Sequence, residues 1–246
     1  MITKYIPNWF KKLVFYRQHP ETAVRYAPII KLLREKNWSD LKILEVGSGS
    51  YGITPYLKKP ITGVDTEFPE PEYPLLRQVK GSATKLPFKE DEFDIVIFSD
   101  VLEHIPVEFR EKSIKESIRV AKIAVVISGP FGKKSADQDK TLAEYSVKQT
   151  GKMHQFFKEH LELGLPEVEE VILMANKNSK VRSVKIVGEY FSLVVRSLLM
   201  KIFITNNRLI YYFYLKGLMV FVPLLKLMNN KPCYRTVIAI ELKQIK

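Results

Sequence analysis

The apolar and polar positions set out a regular alternation through the first half of the chain. Short apolar runs of four to eight residues, rich in Val and Ile, recur at 41–46, 61–65, 76–81, 93–99 and 121–128. Runs of that length are what strands buried on both faces of a parallel sheet require. Between the last two runs Pro106 reads as a first helical position. Val107, Ile114 and Ile118 then recur at helical spacing, which gives a crossover helix one apolar face. Strand, helix, strand in this order predicts a parallel sheet with helices on both sides.

The flanks read differently. Residues 1–40 read as a helical segment, with Pro28-Ile29-Ile30-Lys31-Leu32-Leu33 following a basic, aromatic beginning. Residues 153–174 read as helical with a break at Gly164-Leu165-Pro166, and 181–187 and 234–242 read as strands. Between those strands lies an apolar helical stretch, about 189–228, in which Lys216 is the only charge from Leu209 to Leu225. A membrane-spanning helix needs about 20 mostly apolar residues. Lys216, Pro223 and Lys226 argue against one here. A packed insertion, a helix pair resting on a membrane surface and the wall of an apolar substrate cavity stay open as readings. Arg196, Lys201, Arg208, Lys216 and Lys226 read as a cationic rim that an anionic lipid surface would favour. The division expected is a helical segment, 1–40, and one domain, 41–246, that carries the insertion.

Composition adds bounds. The chain has 246 residues, 46% of them hydrophobic, enough for one large domain with a full core. Its single cysteine, Cys233, excludes internal disulfides and a four-cysteine zinc site, and favours a reducing compartment. No apolar signal segment precedes Lys11 and Lys12, so a cytoplasmic protein is expected, peripheral at the inner face of a membrane if the apolar stretch meets lipid. The formal charge of +12 suits nucleic acid, anionic lipid or a phosphorylated small molecule, and equally a solvated lysine-rich surface.

The chemistry concentrates at Ile43-Leu44-Glu45-Val46-Gly47-Ser48-Gly49-Ser50-Tyr51-Gly52, a buried strand that runs into a glycine turn. Glycine permits positive φ and lets backbone approach a ligand closely. Glu45 places an acceptor at the carboxyl end of a strand, where open α/β sheets bind ligands. A nucleotide-like ligand with an ammonium group suits it, S-adenosylmethionine better than NAD.

Four segments in order resemble class I S-adenosylmethionine-dependent methyltransferases of the type 11, small-molecule kind. They are Glu45-Val46-Gly47-Ser48-Gly49; Ile61-Thr62-Gly63-Val64-Asp65; Gly81-Ser82-Ala83-Thr84-Lys85-Leu86-Pro87-Phe88; and Phe93-Asp94-Ile95-Val96-Ile97-Phe98-Ser99-Asp100-Val101-Leu102-Glu103-His104-Ile105. The resemblance spans about residues 40–130. It implies a Rossmann-like seven-stranded α/β sheet, mostly parallel with its last strand antiparallel. The two late strands supply the sixth and seventh, with the apolar helices inserted between them.

With that resemblance, Glu45 is expected to accept a hydrogen bond from the methionine portion of the cofactor, or else to be a surface carboxylate. The backbone of Gly47, Ser48 and Gly49 is expected beneath the ligand. Asp65 is expected on both ribose hydroxyls, a carboxylate offering two acceptor oxygens, or else at a helix N-cap. Ala83 and Leu86 are expected near the adenine, with Ser99 at the end of the fourth strand. Ser82 stands where the family often has an acid. The prolines of Thr66-Glu67-Phe68-Pro69-Glu70-Pro71-Glu72 argue against the long helix usual there.

Asp100, His104 and His154 are the candidates for removing a proton from the acceptor. Some quinone-biosynthesis O-methyltransferases carry a similar acid-x-x-Glu-His run that resembles a metal site; no essential metal is expected here. His154 and His160 are six apart and do not share the i, i+4 spacing of a metal helix. The Asp/Asn-Pro-Pro-aromatic motif of DNA amino-methyltransferases is missing at Ser99-Asp100-Val101-Leu102, and no RNA-binding module is visible. The expected activity is methyl transfer to a small amphiphilic or glycan-related acceptor. An RNA methyltransferase and a non-catalytic cofactor-binding scaffold are the alternatives.

Overall fold

The structure is a computed structural model and describes residues 20–69, 73–216 and 230–243. Seven strands make one sheet: β1 (Ile43–Val46), β2 (Ile61–Asp65), β3 (Leu76–Lys80), β4 (Phe93–Ser99), β5 (Ala121–Pro130), β6 (Val181–Ser192) and β7 (Cys233–Leu242). Their order is β3-β2-β1-β4-β5-β7-β6. The first five are parallel, and β7 runs antiparallel to β5 on one side and β6 on the other. The expected α/β class, with its antiparallel last strand, is the one observed.

The strands alternate sides because successive side chains of a strand point to opposite faces. Leu44, Val96, Val125 and Ile238 face a layer formed by α3 (Val107–Val120) and α6 (Val168–Asn176). Ile43, Ile95, Ala124 and Val237 face α1 (Pro20–Glu35), which buries Tyr26, Ile29, Ile30 and Leu33 against them. Glu45 shares its parity with Ile43, so its carboxylate points to the α1 side. The helical segment before the sheet is thus part of the core, as far as it is described.

The remaining elements are a short α2 (Thr54–Leu57), a 3-10 turn (Leu102–His104), α4 (Lys133–Thr150), α5 (Gln155–Leu163), α7 (Leu193–Phe203) and α8 (Arg208–Lys216). Several boundaries differ from expectation. Pro106 is the N-cap of α3, extended at φ −51 and ψ 141, and not its first helical residue. The strand expected at 181–187 continues to Ser192, so the apolar insertion turns helical only at Leu193. Pairing with β7 overrides its helical composition. The long α4 was not anticipated, because its few apolar residues give it a weak stripe. No helix forms at 66–69, as the prolines predict. Positions 70–72 and the 217–229 part of the insertion, with Pro223 and Lys226, lie outside the described residues. No helix among the described residues is long and apolar enough to cross a membrane.

Candidate active site

The glycine turn is built around two carboxylates. Gly47, Gly49 and Gly52 all have positive φ, at +70, +54 and +52. A Cβ on Gly52 would lie 2.1 Å from Glu45 Oε2, and one on Gly47 2.3 Å from Val101 Cγ2, whereas one on Gly49 would meet nothing within 4 Å. Gly47 and Gly52 are therefore required by the fold. Gly49 leaves open space above the backbone.

Glu45 is buried and not a surface carboxylate. Its Oε2 accepts the Ile53 backbone N–H at 2.7 Å, while Oε1 has no hydrogen-bond partner. Burial pushes its carboxyl up to about 7, opposed by the Ile53 N–H and the Tyr26 hydroxyl. Asp65 does not cap a helix. Its Oδ2 accepts the Gly49 N–H at 2.8 Å and its Oδ1 the Thr66 N–H at 2.7 Å. It ties the end of β2 to the glycine turn and keeps acceptor capacity to spare. Ser48 is buried, its hydroxyl donating to the Gly49 carbonyl. Ser82 is exposed and paired with Thr84, Ala83 packs on the core, and Leu86 is buried. Ser99 is buried with an unpartnered hydroxyl.

At the carboxyl end of β4 the chain turns sharply at Asp100, a non-glycine residue at φ +53. Strained backbone of this kind persists where the surroundings over-determine it. Here two arginines do so. Arg25 of α1 lies 2.7 Å from Asp100 Oδ2, and Arg235 of β7 grips both carboxylate oxygens, Nη2 at 2.8 Å. Despite burial, the two guanidiniums hold the Asp100 carboxyl down at about 2. It is an anchor and a poor proton acceptor.

Beyond Asp100 lies a cavity of about 140 Å³, walled by Arg25, Glu103, His104, Phe156, His160, Phe191, Arg196, Met200, Tyr234 and Arg235. A second buried network backs it. Asp139 of α4 accepts from Arg196 at 2.6 Å, from the Tyr234 hydroxyl at 2.8 Å and pairs with His160 Nδ1 at 2.8 Å. Burying such charges is costly unless each is paired and hydrogen-bonded, which all these partners achieve. The Arg196 guanidinium also lies over the Tyr234 ring at 3.4 Å. The insertion therefore supplies a wall of the cavity, and Arg196 is a buried member of it, not part of a cationic rim.

The three proton-acceptor candidates separate. His104 lines the cavity, its Nδ1 2.7 Å from Glu159. Burial and the neighbouring His160 lower its pKa, more than Glu159 raises it. His154 is exposed, its ring tilted against those of Phe156 and Phe203, and does not line the cavity. Glu103, read in the sequence only as part of the acid-x-x-Glu-His run and not as a proton acceptor, is buried, and burial with Asp100 nearby pushes it up to about 8. Arg25, Asp139, Tyr234 and Arg235 were missed as members of the site, and His160 and Arg196 had been read in other roles. The one signal available was a charge inside the apolar run of β7, at Arg235.

Residues 44–127 match a family described as methyltransferase domain. No curated protein matches the sequence. Among solved structures, the PH0226 protein from Pyrococcus horikoshii is 15% identical, with 97% of this chain and 100% of that one covered, TM-score 0.52. The magnesium protoporphyrin IX methyltransferase from Synechocystis, solved with bound S-adenosylhomocysteine, is 12% identical over 91% of this chain and 83% of its own, TM-score 0.51. A possible histamine N-methyltransferase from Thermotoga maritima is 16% identical over 89% and 100%, TM-score 0.50. Residues 44–127 thus match a methyltransferase domain, and the chain has the Rossmann-like fold of S-adenosylmethionine-dependent methyltransferases.

Proposed function

We propose that the protein transfers a methyl group from S-adenosylmethionine to a small amphiphilic acceptor held in the cavity beyond Asp100. The observation that carries this reading is the position of that cavity. It opens at the carboxyl end of β4, one residue from Val101, whose side chain packs over Gly47 of the glycine turn. Cofactor turn and cavity are thereby neighbours across the end of the sheet, where open α/β folds bind ligands.

The residues present suit the cofactor. Glu45 Oε1 is a buried acceptor without a partner, which an ammonium group would satisfy. Gly49 leaves room over the backbone, and Asp65 keeps lone pairs for ribose hydroxyls. When bound, S-adenosylmethionine supplies an electrophilic methyl group. The protein's part is to hold the nucleophile in line and to exclude water, which contributes much of the rate in reactions of this type. Phe156, Phe191 and Met200 offer the acceptor an apolar wall, and the arginines and histidines a polar one, which supports an amphiphilic molecule. The acceptor's proton passes to the His104 and His160 corner, since Asp100 is held ionised by its arginines.

Two measurements test this. Calorimetry should show S-adenosylmethionine binding and no NAD binding. Incubation with amphiphilic acceptors, phenolic or phosphorylated, should release S-adenosylhomocysteine with turnover above the protein-free rate. Absence of cofactor binding would sink the reading; binding without turnover on any acceptor favours the scaffold.

A further inference from the structure

One corner of the cavity is overbuilt for proton transfer alone. Glu103, His104 and His160 each present a ligand atom there, and these atoms all lie within 4.8 Å of one another. Each histidine has its Nδ1 engaged by a separate carboxylate, His104 by Glu159 at 2.7 Å and His160 by Asp139 at 2.8 Å. That leaves Nε2 of both rings as the free donor. A carboxylate behind each imidazole fixes the tautomer and raises ligand basicity, which is the support that metal-bound histidines have. Glu103 is 2% exposed, yet only its own backbone N–H reaches its carboxylate. Arg25 and Arg235 act on it across the cavity, but both are bound to Asp100, and a buried carboxylate held by one backbone donor is costly. Charge points the same way: Glu21, Asp100, Glu103, Asp139 and Glu159 stand in or behind this cavity against Arg25, Arg196 and Arg235.

We propose that Glu103, His104 and His160 bind one divalent first-row transition-metal ion, with Asp139 and Glu159 as the outer carboxylates. Two imidazoles and one carboxylate suit zinc, iron, cobalt, nickel or manganese, whereas magnesium and calcium prefer oxygen donors. Zinc–nitrogen distances are about 2.0–2.1 Å, so the donors must draw closer on binding. His104, on the exposed side, is free to make that movement. The proposal departs from the expectation of no metal. It also departs from the acid-x-x-Glu-His run read in the sequence, because Asp100 is taken by two arginines and the third ligand, His160, comes from α5. In the cavity such an ion would polarise an acceptor hydroxyl and lower its pKa, taking the place of proton transfer to the two imidazoles, whose Nε2 atoms it would occupy.

The test uses the full-length protein, stripped with a chelator and titrated with Co²⁺ by visible absorption and with Zn²⁺ by calorimetry. One equivalent is expected to bind, with a spectrum of imidazole and carboxylate ligation. Asp139→Asn is expected to weaken binding about 10–100-fold. Glu103→Gln and His104→Ala should abolish the one-equivalent step, while His154→Ala should keep it and so rule out adventitious histidine binding. Should His160→Ala fail to fold, as circular dichroism would show, Glu103→Gln and His104→Ala still decide the matter. No binding by the wild-type protein, or undiminished binding by these two variants, overturns the proposal. S-adenosylmethionine binding, measured on the same stripped protein, reports on the methyltransferase reading separately.

Discussion

The two sides of the cleft are made from different materials. On the side of β1, β2 and β3, backbone does most of the work. Three positive-φ glycines make a turn, and two carboxylates, Glu45 and Asp65, hold it through main-chain N–H groups. On the side of β4, β5 and β7, side chains do the work. Arg25, Asp100 and Arg235 form one buried ion cluster, and Asp139, His160, Arg196 and Tyr234 form another. A backbone turn places a ligand common to many enzymes. A mosaic of paired side chains can be changed one residue at a time, and suits the part of a site that varies with the acceptor. The difference teaches what each side is built from: a main-chain turn held by two carboxylates that keep spare acceptor atoms, against buried ion pairs between side chains.

The strongest way to break this contrast is Asp139→Ala. It leaves the Arg196 guanidinium buried without its carboxylate, so unfolding in urea should be easier by about 3–5 kcal/mol. A loss under about 1 kcal/mol would mean that water reaches this network and that the acceptor side is not built on buried charge. The counterpart is Asp65→Ala. Hydrogen bonds to a charged group are worth about 1.5–3 kcal/mol, so S-adenosylmethionine affinity should fall roughly 10- to 150-fold in calorimetry. Folding stability should drop much less than in Asp139→Ala. Equal binding by wild type and variant would remove Asp65 from the cofactor site.

A smaller effect follows from Glu45. Its carboxyl titrates at about 7 when folded, above an ordinary value of 4.5. The folded state therefore holds this proton more tightly. The associated stability is fully present below about pH 4.5 and is lost as pH rises toward 7. Cofactor binding runs the other way, because an ammonium group needs the ionised carboxylate. Affinity should rise about tenfold from about pH 6 to 8, and Glu45→Gln should flatten that rise. A flat profile in the wild type would show that Glu45 supports the turn and does not meet the ligand. The smallest effect is expected on the outer face of α7: Leu198→Ser, at an exposed position, should change stability by no more than about 0.5 kcal/mol in the same urea titration.

The same contrast explains what the sequence disclosed. The cofactor side is local: Glu45 to Gly52 is one turn, and Asp65 ends the next strand, so order and spacing reveal it. Strands β1, β2, β4 and β5 were legible because both faces are largely buried and their apolar runs nearly unbroken, whereas the edge strand β3, with only Leu76 buried, was placed by its position in the alternation. The acceptor side is assembled from residues far apart. Arg25 and Arg235 meet on Asp100, and Asp139, His160, Arg196 and Tyr234 come from four elements. No window of residues contains such a cluster. Arg196 even misled, since a cation in an apolar helix has the same sequence signature whether it rims a surface or lies buried. His160 looked unsuited to metal because its spacing was weighed against His154, whereas the structure sets it beside His104, their rings 5.4 Å apart.

The place of β7 in the sheet has a consequence in time. β6 has β7 as its neighbour, and β7 lies between β5 and β6, with Ala124 opposite Glu241. The last strand in chain order is thus an interior one. Strands β1 to β5 can pair as soon as they have been made, since each has a partner close behind it. β6 must wait, and α7 behind it, until β7 slides into the gap, a closure over a long loop that is slow to find. Arg235 arrives with β7 and completes the clasp on Asp100. The cofactor turn is therefore expected to mature early, and the acceptor cavity to close at the final step. In pulse-labelled hydrogen exchange during refolding, the amides of β1 and β4 should gain protection before those of β6.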